Sequence, residues 1–336
     1  MVPLSSIATS AYTDLVRLLN DDAVSGIQGK PTLKQRGEKA YWYAARRVGS
    51  EMRFIYIGED GDETRARIDR IEALRATAKE RQAERSRLVR LLRAEGMTPT
   101  DRATGSILSA LAEAGTFRLG GTLVGTNAFR LYEGELGIRL PLGGMANTGD
   151  IDIAQFEKLS IALGDRVDPA LAETFSALKF DPVPALDPTR TWRWAQGGSG
   201  QLVEFLTPAF GAETIRDLPA LGVSAQALNY LNFLIAEPIR AAAIYRSGIL
   251  VQVPRPERYA IHKLIVADRR RDGAGSLKAA KDREQAAFLI EAMAQDRPDD
   301  LRLAYEAAMA VGPRWREHIA NSLKRMAGTG VRLEEL

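Results

Sequence analysis

The stretch GDIDIAQF, residues 149–156, decides how this chain reads. Acids and isoleucines alternate through Asp150-Ile151-Asp152-Ile153. Such alternation marks a half-buried β-strand, and residues two apart on a strand share a face. Asp150 and Asp152 therefore project together, while Ile151 and Ile153 turn to a core. Two carboxylates at one point repel unless a cation or a donor neutralises them. Mg²⁺ suits such a pair, because it takes one or two carboxylates and fills the rest of its shell with water and phosphate oxygens. The bland alternative is a strand end carrying two solvated acids.

Two further features sit around this strand. Glu204 interrupts the apolar run QLVEFL, residues 201–206, and a buried acid needs a partner. A strand there beside residues 150–152 would add a third carboxylate; a strand at the sheet edge would turn Glu204 to water. Upstream, residues 116–119 read as a short strand, Gly120-Gly121 as a tight turn and Thr122–Tyr132 as a helix. Two glycines let the backbone approach a ligand, and free N–H groups at a helix start attract phosphate. Gly120, Gly121 and Thr122 are thus candidates for holding a β- or γ-phosphate, although strand–Gly–helix turns also serve as plain connections.

The remaining chain is ordinary globular material. Its 336 residues are 45% hydrophobic and 26% charged, enough for about two domains with sizeable cores. Cysteine is absent, which excludes disulfides, thiolate metal sites and cysteine nucleophiles. Only His262 and His318 are present, so a histidine-rich metal site is excluded, and His262 reads as a packed or surface residue. A net charge of +3 is too balanced to argue for nucleic-acid binding, and the excess of arginine over lysine has a compositional explanation. There is no secretory signal pattern and no long apolar span, so a cytoplasmic protein with no membrane association is expected.

The chain divides into three segments. Residues 1–96 hold a helix near 10–27, a β-hairpin made of AYWYAARRV and MRFIYIG, and a charged helical stretch over 62–95. The hairpin aromatics Tyr41, Tyr43, Phe54 and Tyr56 recur at period two beside arginines. They could stack on bases, but packing against a neighbour is the commoner use of such a face. Residues 97–210 carry the acids, with a hairpin of TRTWRWAQ and QLVEFLTP around the glycine-rich link 197–200. Residues 211–336 read as mostly helical, with one strand over 248–253 and helices near 277–294, 299–311 and 313–327. Strands and helices without regular alternation indicate an α+β fold.

Taken in order, LGGT at 119–122, GDID at 149–152 and VEFL at 203–206 resemble the DNA polymerase β-type nucleotidyltransferase superfamily. The variant looks most like the nucleotidyltransferases of abortive-infection toxin systems, which carry a later helical lysine and a Lys-Asp pair. Here RYAIHKLIVADRR supplies Lys263 and LKAAKDREQ supplies Lys281-Asp282. The chain departs from the family in having threonine after the glycines and glutamate as third acid. The resemblance covers residues 97–295. It implies a small mixed or antiparallel sheet with a helical C-terminal part. It further implies Mg²⁺ or Mn²⁺ on Asp150, Asp152 and Glu204, the triphosphate on Gly120, Gly121, Thr122 and Lys263, and transfer of NMP from an NTP with release of pyrophosphate. The acceptor would be an RNA (tRNA-like), a protein or a small molecule, and an antitoxin-like partner would accompany a toxin. Lys281 and Asp282 could instead form a structural ion pair. The alternative function is an inactive nucleotide- or nucleic-acid-binding module, which need not retain all three acids. A glycosyltransferase would also use Asp-x-Asp, but not the upstream glycine turn. A dinucleotide-binding G-x-G-x-x-G needs glycine at Thr122, and no P-loop pattern occurs.

Overall fold

The computed structural model describes residues 1–25, 30–48, 51–141, 149–185, 187–198, 200–270, 275–326 and 328–334. Helix α1 (Ser6–Ser25) precedes a three-stranded antiparallel sheet of β1 (Lys30–Arg36), β2 (Lys39–Val48) and β3 (Glu51–Glu59). The expected hairpin is β2–β3; its link at 49–50 lies outside the described residues. Strand β1 adds an edge that the polar sequence KPTLKQR does not advertise. The charged stretch forms α2 (Asp62–Ala76) and α3 (Ala78–Ala94). Leu88, Val89 and Leu92 of α3 pack with Leu15 and Leu19 of α1 in one apolar cluster.

Helix α4 (Arg102–Ala114) has sharp ends for local reasons. The Asp101 carboxylate accepts from the Thr104 N–H at 2.9 Å, and Gly115 closes the helix in the left-handed region. Next come β4 (Thr122–Val124), α5 (Gly125–Leu136), β5 (Asp150–Ala154), α6 (Glu157–Ala162) and α7 (Leu171–Ala177). Strands β6 (Phe180–Pro182), β7 (Arg193–Gln196), β8 (Leu202–Pro208), β9 (Ile215–Leu218) and β10 (Val223–Leu228) complete a seven-stranded mixed sheet. Its path is β4-β5-β8-β10-β9, with β7 flanking the first half of β8 and β6 flanking β7. Strands β5, β8 and β10 run parallel; the other pairings are antiparallel. Strands β9 and β10 lie past residue 210, so the sheet itself extends to Leu228.

The C-terminal part is less helical than its sequence suggests. Besides β9 and β10, it holds α8 (Leu231–Ile235) and a two-stranded sheet of β11 (Ile239–Ala243) and β12 (Ile249–Val253). The last helices match expectation: α9 (Pro256–Arg269), α10 (Ser276–Asp296), α11 (Pro298–Val311) and α12 (Pro313–Leu323), with a short α13 (Thr329–Glu334). The fold class is α+β, as read from the sequence.

A second correction concerns the turn before the acids. Residues 116–119 form successive turns, not a strand, closed by Leu119 N–H to Gly115 O and Gly120 N–H to Phe117 O. The strand is Thr122–Val124, and the helix starts only at Gly125.

Helix α1 is pinned to the sheet-bearing body by close packing. Tyr12 is buried, and its hydroxyl oxygen accepts from the Ala242 N–H at 3.1 Å. Its ring lies against Gly134 of α5, where an added Cβ would stand 2.3 Å from a ring carbon. A Gly134→Val variant must therefore separate α1 from α5. It is expected to lose about 1–3 kcal/mol, read as a lower unfolding midpoint in a denaturant titration.

Candidate active site

Strands β5 and β8 pair in parallel with Asp152 opposite Glu204 and Asp150 opposite Leu202. Ile151, Ile153, Val203 and Phe205 are buried, so the intervening acids Asp150, Asp152 and Glu204 share the other face. The next strand continues this row, because Arg193 of β7 pairs with Glu204 and its Nη1 stands 3.9 Å from Oε1. On the other side Val124 of β4 pairs with Asp152. The chain then turns at once into α5, so the N-terminus of that helix opens beside the acids.

Gly125 makes this turn. Its φ is +67°, and an added Cβ would lie 2.3 Å from Asp152 Oδ2. Only glycine satisfies both conditions. The Gly125 carbonyl accepts from the Tyr259 hydroxyl of α9 at 2.9 Å. Asn127 Nδ2 donates to the Asp150 carbonyl at 2.7 Å, tying the first turn of α5 to the strand. Thr126 is buried between them, at the first turn of the helix.

Gly120, Gly121 and Thr122, the expected cradle, lie away from the acids. Thr122 pairs with Ala154, at the far end of β5 from Asp150. Its hydroxyl oxygen accepts from Gln252 Nε2 at 2.9 Å, and the residue is 1% exposed. An added Cβ on Gly121 would stand 2.7 Å from the Thr116 carbonyl oxygen, and one on Gly120 2.7 Å from Leu159 Cδ2. These glycines serve packing, and the helix-opening Gly-Thr is Gly125-Thr126.

Helices α9 and α10 bring positive charge to the acids. Lys263 is buried, with Nζ 2.5 Å from Asp282 Oδ1, and Arg270 Nη1 lies 2.9 Å from Asp282 Oδ2. Asp282 is thus paired with Lys263 and Arg270. Burial works to raise the Asp282 carboxyl, but the two cations outweigh it and hold it below the usual range. Lys278 Nζ stands 4.0 Å from Asp150 Oδ2. Burial, and then the nearby Lys263 charge, lower the Lys281 ammonium. His262 is buried and pushed down to about 3 by burial and by Lys263, so it is a neutral core residue.

The charge of the acids is only partly compensated. Asp152 is pushed up to about 7, first by burial and then by the charges of Glu204 and Asp150; Lys263 and Arg270 only partly offset this. Glu204 is also raised, by burial ahead of Asp150, against the pull of Arg193 and a hydrogen bond from Asp152. Among the described residues, no group of three or more acids or histidines is closed around a point as a ready metal cage. The donor set nevertheless fits a hard divalent cation. It is all carboxylate oxygen, lies on one face, and has protonation costs that a cation would relieve.

Gly125, Thr126, Arg193, Arg270 and Lys278 escaped the sequence reading. Lys278 lies three residues before Lys281 and four before Asp282, so helical spacing alone groups the three on one side of α10. Gly125 had only a single glycine as its signal.

A turn from strand to helix N-terminus is thus packed on one of three acids from adjacent strands and faced by basic helices. A family model described as Nucleotidyltransferase matches residues 102–310, more than half of the chain, and the protein belongs to that family. A second model, described as a domain of unknown function, matches residues 12–66. No curated protein and no solved structure gives a match. Among the described residues, no helix is long and apolar enough to cross a membrane.

Two outcomes follow from the geometry. Gly125→Ala is expected to abolish nucleotide binding in calorimetry while Gly120→Ala lowers thermal stability instead. Asp152 is raised in the folded state, so its contribution to stability is full below about 4 and is lost as pH rises through about 7. Asp152→Asn should therefore raise the melting temperature of metal-free protein at pH 8 and bring no gain at pH 4. An equal shift at both pH values would contradict the crowded-acid reading.

Proposed function

We propose that the protein transfers a nucleoside monophosphate from an NTP to an acceptor hydroxyl, with Asp150, Asp152 and Glu204 as its catalytic acids. The observation that carries this reading is the register of Asp152 opposite Glu204, beside the Gly125 turn. Mg²⁺ or Mn²⁺, held by the three acids, would supply charge neutralisation at the reacting phosphate.

The chain's own groups divide the remaining tasks. The free N–H groups at the start of α5 and the Thr126 hydroxyl receive phosphate oxygens. Lys278 and Lys281 neutralise the triphosphate, while Lys263, already on Asp282, positions α10 against α9. Glu204, raised in pKa and adjacent to Arg193, accepts the proton of the attacking hydroxyl. The acceptor oxygen then bonds to the α-phosphorus as its bond to pyrophosphate breaks.

A cytoplasmic location, where NTPs are available, is part of this proposal. An RNA, protein or small-molecule acceptor would approach from the solvent side, where Asp150 is 40% exposed at the side chain. Use as a toxin, held by an antitoxin-like partner, follows from the sequence likeness alone.

The direct test is transfer of label from each α-labelled NTP into RNA, protein or a small molecule of a cell extract. Wild type should label one acceptor class. An Asp150→Asn/Asp152→Asn variant should give none. Thr126→Ala should be slower by a factor of about 10–100, the worth of a hydrogen bond to a charged group. Thr122→Val should keep its rate. Transfer that survives loss of both aspartates would overturn the assignment.

A further inference from the structure

Strands β1, β2 and β3 form a sheet whose two faces differ. Pro31 and Ala44, paired across β1 and β2, are buried, and α2 packs against β3. On the other face, Thr32 and Lys34 of β1 lie opposite Tyr43 and Tyr41 of β2. Tyr43 in turn opposes Tyr56 of β3, and Ala45 opposes Phe54. Directly opposed residues share a face, so four aromatic rings and a lysine line one surface.

Packing against a neighbour was the expected use of these rings, and the structure departs from it. Tyr56 is 57% exposed and Phe54 43% exposed. The rings are held in place by one another: Tyr56 lies 5.7 Å from Tyr43 and 6.2 Å from Tyr41, centroid to centroid. Lys34 Nζ sits over the Phe54 ring, 2.9 Å from its centroid. Burying such rings would repay their exposure to water, and their π-faces accept a planar partner without reordering.

Charge selects the partner. Residues 30–59 contain seven Lys and Arg against three Glu, while the whole chain carries only +3. The positive excess of the molecule therefore resides in this sheet. A flat surface combining cationic groups with exposed aromatic rings matches a phosphate backbone with accessible bases. A duplex hides its base faces, so the rings would have no stacking partner there. We propose that the exposed face of β1–β3 binds single-stranded nucleic acid, stacking bases on Phe54 and Tyr56 with Lys34 on the backbone. This surface is separate from the acid cleft and does not depend on the catalytic reading.

The test uses the full-length protein and fluorescein-labelled oligo-U and oligo-dT of about 12 nucleotides, followed by anisotropy over a salt series. Wild type should bind at least one of them, more weakly as salt rises. Phe54→Ala/Tyr56→Ala should weaken binding about tenfold or more with an unchanged melting temperature. Tyr56→Trp should preserve it, and Lys34→Glu should weaken it and flatten the salt dependence. Binding of oligo-U alone would assign the partner as RNA; equal binding of oligo-dT would assign a sugar-indifferent surface. No binding, equal binding by the double-alanine variant, or equal competition by duplex DNA would overturn the proposal. Self-association that disappears in the double-alanine variant, without oligonucleotide binding, would assign the face to a second copy and overturn it as well.

Discussion

Like charges on neighbouring strands set the terms for this molecule. Parallel pairing of β5 with β8 puts Asp152 beside Glu204, and strand alternation adds Asp150 on the same face. Ile151, Ile153, Val203 and Phe205 anchor the register from below, so the acids cannot slip apart without exposing the core. The repulsion appears as the rise of Asp152 to about 7. Such an arrangement costs stability in the free protein, and it persists because hydrophobic burial elsewhere exceeds it.

Elements around the acids answer to that charge. Helix α5 begins beside Asp152 because Gly125 alone tolerates both the left-handed turn and the close approach. Helix α9 reaches the turn through the Tyr259 hydroxyl and brings in Lys263; α10 contributes Lys278 and Lys281. Asp282 is the hinge pin of this wall, since it holds Lys263 and Arg270 together and leaves the exposed Lys278 facing Asp150. The positive groups are thus graded in burial, from the buried Lys263 to the half-exposed Arg270 and the exposed Lys278.

The sequence disclosed the acids because alternation over five residues is unambiguous, and Glu204 because an acid in an apolar strand is conspicuous. It did not disclose that the turn beside the acids is at Gly125. Gly120-Gly121 is a stronger local turn signal than Gly125, and β4, between them, has only three residues. Strands β9, β10 and β11 were missed for a similar reason: each is short, and its pairing partner is distant in the chain or newly turned. The partner of Asp282 was illegible because it depends on how α9 packs on α10. The aromatic alternation of β2 and β3 was plain, but whether its face meets solvent or a neighbour is decided by tertiary structure alone.

In the proposed function, three acids and the Gly125-Thr126 turn form one site for a divalent cation and a triphosphate. A crystal structure of the protein with Mn²⁺ and a non-hydrolysable NTP, with the anomalous signal locating the metal, tests this. A metal peak bounded by Asp150, Asp152 and Glu204 is expected, with phosphate oxygens on the first turn of α5. A metal peak away from the three acids, or a triphosphate seated at Gly120-Gly121-Thr122, would contradict it.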